Sequence, residues 1–398
     1  MKILVLNCGS SSIKFQLVEM PEEKVLIKGN FERVGTKDSF VTFKFNGTKD
    51  KYEIPVENHQ QGIDVILEKL QDEKYGVLKS LDEITAVGHR VVHGGEKFAK
   101  STLITDEVID QIEKLIVLAP LHNPAGLSGI KAIKKALPNT PMVGVFDTAF
   151  HQTMPDIAYI YNIPYEYYLD HQIRKYGFHG TSHRYIALRT AELLGKKPEE
   201  VNIISCHLGQ GESVAAIKNG KSVDTTMGLT PLAGLPMGTR SGDIDPSIIP
   251  YICKLEGKDV FEVETVLNKK SGALGVSGVS SDFRDIEDAA ARGHKRAILA
   301  LDSNAYITAK TIASYFVALG HVDAIAFAGG VGENGELTRK RICEYLKCFD
   351  IKLDDKLNDV KGEERKISTP DSKVELWIVP TDEEIMIARD TVEIAGLK

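Results

Sequence analysis

The chain opens on an uninterrupted apolar run, Ile3-Leu4-Val5-Leu6, which stops at Cys8-Gly9-Ser10-Ser11-Ser12 and resumes as a β-capable segment from 13 to 18. Strand, tight polar turn, strand is the simplest reading of that pattern. Alternating stretches follow at 24–31 and 40–45, and the second ends at Asn46-Gly47, a strong hairpin-turn dipeptide. Helical spacing then predicts helices over 62–71, 106–117 and 125–136, interleaved with strand-like segments at 84–92 and 142–146. Strands first, then alternating helices and strands, predict a mixed sheet flanked by helices.

The same order begins again near residue 200. Segment 202–206 reads as a strand, His207-Leu208-Gly209-Gln210-Gly211-Glu212-Ser213 as a turn, 214–217 as a strand, and Asn219-Gly220 leads into a third at 222–226. Placing Gly209 on Gly9 also places Ile203 on Ile3, Ile204 on Leu4 and His207 on Asn7, a constant offset of 200. A long helical pattern at 289–316 and a strand at 322–327 continue the parallel. The pattern predicts an internal duplication into domains 1–150 and 151–383, with a final helix at 384–398 packing back on the first. No linker-like stretch separates the halves, so a cleft between packed domains is expected.

Composition changes this picture in one respect. At 398 residues the chain is too long for one core. Its 49 basic and 56 acidic residues leave a formal charge of −7. That balance gives no overall attraction for nucleic acid or an anionic membrane, so any anionic ligand must be held by a local cluster of cations. No apolar stretch approaches the roughly 18 residues of a membrane span, and the N-terminal run is too short for a signal peptide. Five scattered cysteines without a CxxC indicate neither a zinc site nor a disulfide framework. The expectation is a reduced, cytoplasmic protein.

Three turns have the small residues that let backbone N–H groups approach a phosphate: Gly9 to Ser12, Gly209 to Ser213, and Gly329-Gly330-Val331-Gly332-Glu333-Asn334-Gly335. The third also matches GxGxxG, with Asp354 about 20 residues on, which keeps an NAD-dependent oxidoreductase as an alternative. A Walker A loop is absent, because Ala215 stands where the first glycine before Gly220-Lys221-Ser222 is required. Arg90 lies in an apolar stretch, Arg240 in a Gly-flanked loop, Asp147 at a strand end, and His179 just before a helix starting near Ser182. Each has a bland alternative: a structural salt bridge for Arg90, a local pair with Asp243 or Asp245 for Arg240, a turn cap for Asp147, a packing hydrogen bond for His179. Together they suit phosphoryl transfer, which needs cations around three equatorial oxygens and carboxylates for Mg²⁺. They suit hydride transfer less well.

The longer motifs carry a family resemblance. Asn7-Cys8-Gly9-Ser10-Ser11-Ser12-Ile13-Lys14, Gly88-His89-Arg90-Val91-Val92-His93-Gly94-Gly95 and Phe146-Asp147-Thr148-Ala149-Phe150-His151 resemble the acetate kinase family, the acetokinases. So do Tyr176-Gly177-Phe178-His179-Gly180-Thr181-Ser182-His183, Met237-Gly238-Thr239-Arg240-Ser241-Gly242-Asp243 and Gly330-Val331-Gly332-Glu333-Asn334. The resemblance implies an α/β architecture: a duplicated actin-like, ribonuclease H-like ATPase fold of two domains with the active-site cleft between them. It implies reversible, Mg²⁺-dependent (or Mn²⁺-dependent) in-line transfer of the ATP γ-phosphoryl group to acetate, giving acetyl phosphate and ADP. A propionate or butyrate kinase of the same family is the alternative.

By the same resemblance, Asn7 and Glu383 hold Mg²⁺, Lys14 lies near the nucleotide phosphates, Arg90 binds the acetate carboxylate and Asp147 assists the transfer. His179 and Arg240 stabilise the moving phosphoryl group. Val92, Leu121, Phe178 and Pro231 form a small apolar acceptor pocket. The nucleotide meets His207, Leu208, Gly209, Gln210 and Gly211, then Asp282, Phe283 and Arg284, then Gly330, Val331, Gly332, Glu333 and Asn334. A homodimer is implied as well. Acetate is already ionised at neutral pH, so Asp147 is a poor proton-removing base and is expected to position the metal or its water. The chain departs from the family's usual His-x-Gly-Asn-Gly-Ala-Ser at Gln210 and Glu212. Glu212 puts an anion beside a phosphate loop and is expected to weaken nucleotide binding unless it turns to solvent or engages the metal.

Overall fold

The structure, a computed structural model, describes residues 1–120 and 122–397. Two compact units result: Met1–Phe150 together with the segment from Asp382, and His151–Thr381. The first holds strands β1 (Lys2–Gly9), β2 (Ser12–Glu19), β3 (Lys24–Glu32), β4 (Phe40–Phe45), β5 (Thr48–Glu53), β6 (Ile84–Val91), β7 (Thr102–Leu103) and β8 (Met142–Phe146), ordered β5-β4-β3-β2-β1-β6-β8-β7. The second holds β9 (Asn202–Leu208), β10 (Glu212–Lys218), β11 (Lys221–Thr225), β12 (Ala324–Ala328), β13 (Arg365–Lys366) and β14 (Glu375–Ile378), ordered β11-β10-β9-β12-β14-β13.

The strands β3-β2-β1-β6-β8 and β11-β10-β9-β12-β14 run in the same order with the same directions, an antiparallel meander joined to parallel strands. This is one fold used twice, the internal duplication that the sequence predicts. Ile3 pairs with Val18 and neighbours Ala86; Ile203 pairs with Ile217 and neighbours Ala324. The 200-residue offset slips by one in the hairpin arm. The first turn inserts Ser10 and Ser11 between Gly9 and Ser12, whereas the second inserts Gly209, Gln210 and Gly211 between Leu208 and Glu212.

Both faces of each central strand are covered, so these strands read as near-continuous apolar runs. In the first unit, helices His59–Leu70 and Asn123–Ala136 cover the face carrying Leu4, Leu6, Val87 and Val91. Helix Glu383–Ile394 covers the face carrying Ile3, Val5, Ala86, Val143 and Val145. It sits close because β6 has a glycine beneath it: a Cβ on Gly88 would lie 2.4 Å from Thr391 Oγ1 and 2.5 Å from Ile387 Cγ2. Side chains alternate along a strand, so continuing each row to the strand ends places Asn7, Lys14, Arg90 and Asp147 on this helix-covered face.

Two sequence expectations change, and one strand, β5, appears where none was expected. The helical pattern 289–316 is two helices, Phe283–Ala291 and Lys295–Leu319, broken at Gly293 with φ +84° and restarted by His294, whose Nδ1 accepts from Ala297 N at 3.1 Å. The third glycine turn is itself helical over Gly329–Asn334. Strand β5, polar apart from Tyr52, which packs on Phe43, forms because Asn46-Gly47 folds it back on β4. Among the described residues no helix is long and apolar enough to cross a membrane.

Candidate active site

In the first unit the charged groups meet where β6 and β8 end under the C-terminal helix. The parallel register sets Arg90 beside Val145, and Asp147, two residues on, shares its face. Arg90 donates from Nε to Asp147 Oδ1 at 2.9 Å and from Nη2 to Oδ2 at 2.6 Å, while Nε lies 3.8 Å from Glu383 Oε2. Asp382 caps the helix by accepting from Ile385 N at 3.0 Å, which fixes Glu383 and Glu384 in the first turn. Burial opposes the charge on Arg90, but the Asp147 and Glu383 carboxylates outweigh it and raise its pKa. Burial raises Glu383, against the pull of Arg90 and with the added push of Asp147. Asn7 stands opposite Lys14 in the β1–β2 register. Nη1 of Arg90 makes no hydrogen bond among the described residues, so that edge is open to an anion.

In the second unit four histidines each meet a serine hydroxyl, and one serine joins two of them. His179 takes a left-handed conformation (φ 55°, ψ 23°) at the start of helix Gly180–Leu193. Its Nδ1 is 2.9 Å from Ser213 Oγ, which also lies 2.7 Å from His183 Nε2. His183 Nδ1 meets Ser205 Oγ at 2.8 Å, Ser182 Oγ meets His207 Nδ1 at 2.8 Å, and His151 bridges Ser222 Oγ and the Phe178 carbonyl. The His179 and His207 rings lie 4.3 Å apart. Burial pushes His151 down to about 4 and His183 well below its ordinary value, so both are neutral at pH 7. Ser213 has one hydroxyl proton between two rings and must donate to one while accepting from the other.

Arg240 reaches this cluster. It donates from Nη1 to the Pro231 carbonyl at 3.1 Å, and burial lowers its pKa. The expected pair with Asp243 does not form: Asp243 accepts instead from Gly234 N at 2.7 Å. A Cβ on Gly211 would lie 3.3 Å from the Cε1 and Nε2 atoms of His179 and 3.5 Å from Arg240 Nη1. Glycine there leaves a space bordered by a histidine, a guanidinium with no carboxylate partner among the described residues, and backbone.

A separate cavity of about 610 Å³ is lined by Gly209, Gln210, Asp282, Phe283, Arg284, Gly330, Val331 and Asn334, joined by Glu287, Gly335 and Lys361. Gly335 closes the GxGxxG outline noted in the sequence, whereas Glu287, which arrives with its helix, and Lys361, from a loop, carried no sequence signal. Asp282 caps helix Phe283–Ala291 and pairs with Arg284 at 2.6 Å. His207, Leu208, Gly211, Gly332 and Glu333 do not line it. Glu333 instead braces the helical turn, accepting from Gly329 N at 2.9 Å and Thr381 N at 3.1 Å. Of the acceptor-pocket residues, Val92 and Pro231 are half-buried, Phe178 is fully buried, and Leu121 lies outside the described residues.

Glu212 follows neither expected course. It alternates with Val214 and Ala216 along β10, and both are packed in the core of this unit. It is fully buried, accepting from Asn304 Nδ2 at 2.9 Å, and the same amide donates to the Pro236 carbonyl at 2.9 Å. Burial pushes its pKa up to about 8, so at neutral pH it is an uncharged acid. It braces the loop that carries Arg240 and places no anion at the nucleotide cavity.

Comparison with known proteins follows the same lines. A model of the acetokinase family matches residues 2–389. The acetate kinase of Thermoanaerobacter pseudethanolicus is 58% identical over 402 residues, covering 100% of both chains. That of Clostridium botulinum is 54% identical over 396 residues, again covering 100% of each. The solved structure of Porphyromonas gingivalis acetate kinase matches with a TM-score of 0.95 at 50% identity, over 99% of each chain. A propionate kinase from Francisella tularensis matches with a TM-score of 0.93 at 42% identity, over 100% of each.

The buried acid makes a pH-dependent contribution to stability. Its pKa is about 8 when folded against 4.5 as an ordinary glutamate, so the contribution is complete below about pH 4.5 and is lost as pH rises toward 8. Glu212→Gln, neutral throughout and still able to accept from Asn304, should lose less thermal stability than the native protein between about pH 5 and 8. Parallel melting curves for the two proteins across that range would remove Glu212 as the titrating group.

Proposed function

The chain belongs to the acetokinase family, and on that premise we infer that it transfers the γ-phosphoryl group of ATP to acetate, reversibly, giving acetyl phosphate and ADP. The observation that carries this reading is the space at Gly211. A half-buried guanidinium without a carboxylate partner needs an anion, and His179 stands beside it. The oxidoreductase alternative rested on a GxGxxG outline, which is a helical turn whose Gly330, Val331, Asn334 and Gly335 line the cavity that we assign to the nucleotide.

The donor set fits a hard divalent cation. Asn7, Asp147 and Glu383 offer oxygen ligands from one face of the first sheet, and two neighbouring carboxylates share a single guanidinium, so a further positive charge would relieve them. Among the described residues no three His, Cys, Asp or Glu side chains form a metal cage. That suits Mg²⁺, or Mn²⁺, which keeps waters and takes phosphate oxygens as its remaining ligands. When bound, the ion neutralises charge on the nucleotide phosphates.

The protein's own groups do the rest. Arg90, clamped in plane by Asp147, presents its open edge to the acetate carboxylate. Lys14 adds a point charge for the phosphates. His179, oriented through Ser213, and Arg240, braced by the Pro231 carbonyl, face the charge that spreads over the transferring group. Asp147 removes no proton, since acetate has none to give at neutral pH; it holds Arg90 and contributes to the metal. Val92, Leu121, Phe178 and Pro231 limit acceptor length. We also propose a homodimer in a reducing cytoplasm. Helix Ile248–Glu256 buries none of its residues, with Tyr251 and Leu255 each 68% exposed and Phe261 on the next helix 73% exposed. The five cysteines are all free.

Three measurements check this. Hydroxamate detection of acetyl phosphate from ATP, Mg²⁺ and acetate should fall about 10²–10³-fold in kcat for Arg240→Ala. In the same assay Arg90→Ala should raise the acetate KM tenfold or more, and Glu383→Gln should raise the Mg²⁺ requirement; unchanged kinetics in all three would sink the site. Val92→Ala should shift the acetate-to-propionate ratio of kcat/KM toward propionate by about 1–3 kcal/mol at most, and an unmoved ratio removes Val92 from the pocket. Light scattering should give twice the chain mass for the native protein and a single chain mass for Leu255→Asp, and a native monomer would end the dimer reading.

A further inference from the structure

The sheet face that carries Asn7, Lys14 and Arg90 continues across β2 to β5, away from the reacting groups, and there pairing places cation opposite cation. Gln16 lies opposite Lys28, Lys28 opposite Lys44, and Lys44 opposite Lys49; in the adjoining row Lys14 lies opposite Asn30. Like charges directly opposite each other destabilise a sheet. Nearby lysines are neutralised: Lys51 lies 3.5 Å from Glu53 and Lys74 2.9 Å from Asp50. Among the described residues the ammonium groups of Lys14, Lys28, Lys44 and Lys49 make no hydrogen bond or ion pair, although Lys14 and Lys28 feel the Glu383 and Asp382 carboxylates at longer range. Lysine on an edge strand discourages sheet-to-sheet pairing, which accounts for Lys49 on β5. It does not account for Lys28 and Lys44, because β3 and β4 are interior strands.

Between these side chains lies a cavity of about 370 Å³, lined by all four lysines and by Gln16, together with Glu32 and Glu384. Four lysines against two glutamates leave two positive charges in excess, in a chain whose formal charge is −7. Gln16 is only 8% exposed and its Oε1 has no partner. Among the described residues its amide makes no side-chain hydrogen bond at either end, so turning it end for end breaks no hydrogen bond and presents Nε2 to the cavity as a donor.

We propose that this face, centred on Lys28, Lys44 and Lys49 and adjoining the reacting groups only through Lys14, is a second anion-binding site, and that its ligand is a short condensed phosphate, a chain of two or more phosphate units. Lysine binds phosphate as a point charge without the fixed fork of arginine. Ammonium groups rooted on neighbouring strands about 4.8 Å apart match an anion whose charges are strung along a line. Nothing in the lining offers a base a stacking surface: Phe15 is buried, and Lys51 covers the ring of nearby Phe40 at 4.1 Å from its centroid. The cavity is also too small to seat a macromolecule. This site does not depend on acetate being the acceptor.

The test is calorimetric titration of the full-length protein with sodium tripolyphosphate while saturating ADP fills the nucleotide cavity. One equivalent should bind per chain, more weakly as salt rises. Lys28→Gln/Lys44→Gln should weaken it tenfold or more while kcat and the KM values for ATP and acetate stay within twofold. The same double variant should melt higher than the native protein without ligand, because the repulsion is gone, and should lose the rise in Tm that tripolyphosphate gives the native chain. Full displacement by ADP, or equal affinity in the double variant, would overturn the proposal. A second equivalent of ADP binding at the lysines as tightly as tripolyphosphate would overturn the assignment to a condensed phosphate.

Discussion

A guanidinium set on a sheet face beneath a helix must have an anion beside it, and the first unit is arranged around that need. Arg90 sits near the end of β6 among apolar neighbours, and Asp147 at the end of the parallel strand β8 answers it with two hydrogen bonds, at 2.9 and 2.6 Å. The pairing works only because the strands are parallel and in that register. It also uses the tight seat of the last helix over Gly88, which brings Glu383 within 3.8 Å of the same arginine. The result is one open edge on a fixed cation, with carboxylates on its other sides. A charge-assisted, bidentate pair of this kind fixes direction as well as energy.

The second unit solves a similar problem without a carboxylate. Arg240 is held by a carbonyl and a loop, and that loop is held in turn by Asn304, whose amide spans the Pro236 carbonyl and Glu212. The neutral histidines His151 and His183 transmit orientation through serine hydroxyls rather than charge. Glu212, uncharged at neutral pH, braces that loop without adding an anion to it. The cation is thereby left for a ligand, which is what a chain of net negative charge requires if it is to bind anions at all.

The duplication was legible at the first strand-turn-strand, because strands buried on both faces must be apolar and the turn between them must be small. The two halves keep the same strand order around those segments. Boundaries were less legible. The break at Gly293 falls in Arg292-Gly293-His294-Lys295-Arg296, between two helical periods that run on in similar phase, and β5 has only Tyr52 to announce it. Of the nucleotide residues inferred by resemblance, the glycine turn and the Asp282 to Arg284 cap do line one cavity, whereas Glu333 is a brace.

Sequence alone determined which residues are polar in apolar surroundings, that the same unit occurs twice, and, through long motifs, the family. Those are properties of local order along the chain. Tertiary structure decided what each charge faces. Arg90 and Asp147 are 57 positions apart and Glu212 and Asn304 are 92 apart, so their pairing follows from strand register and helix seating. No local pattern records either. The row from Lys28 to Lys49 has the same origin: unremarkable lysines in sequence become neighbours only when β3, β4 and β5 are laid side by side.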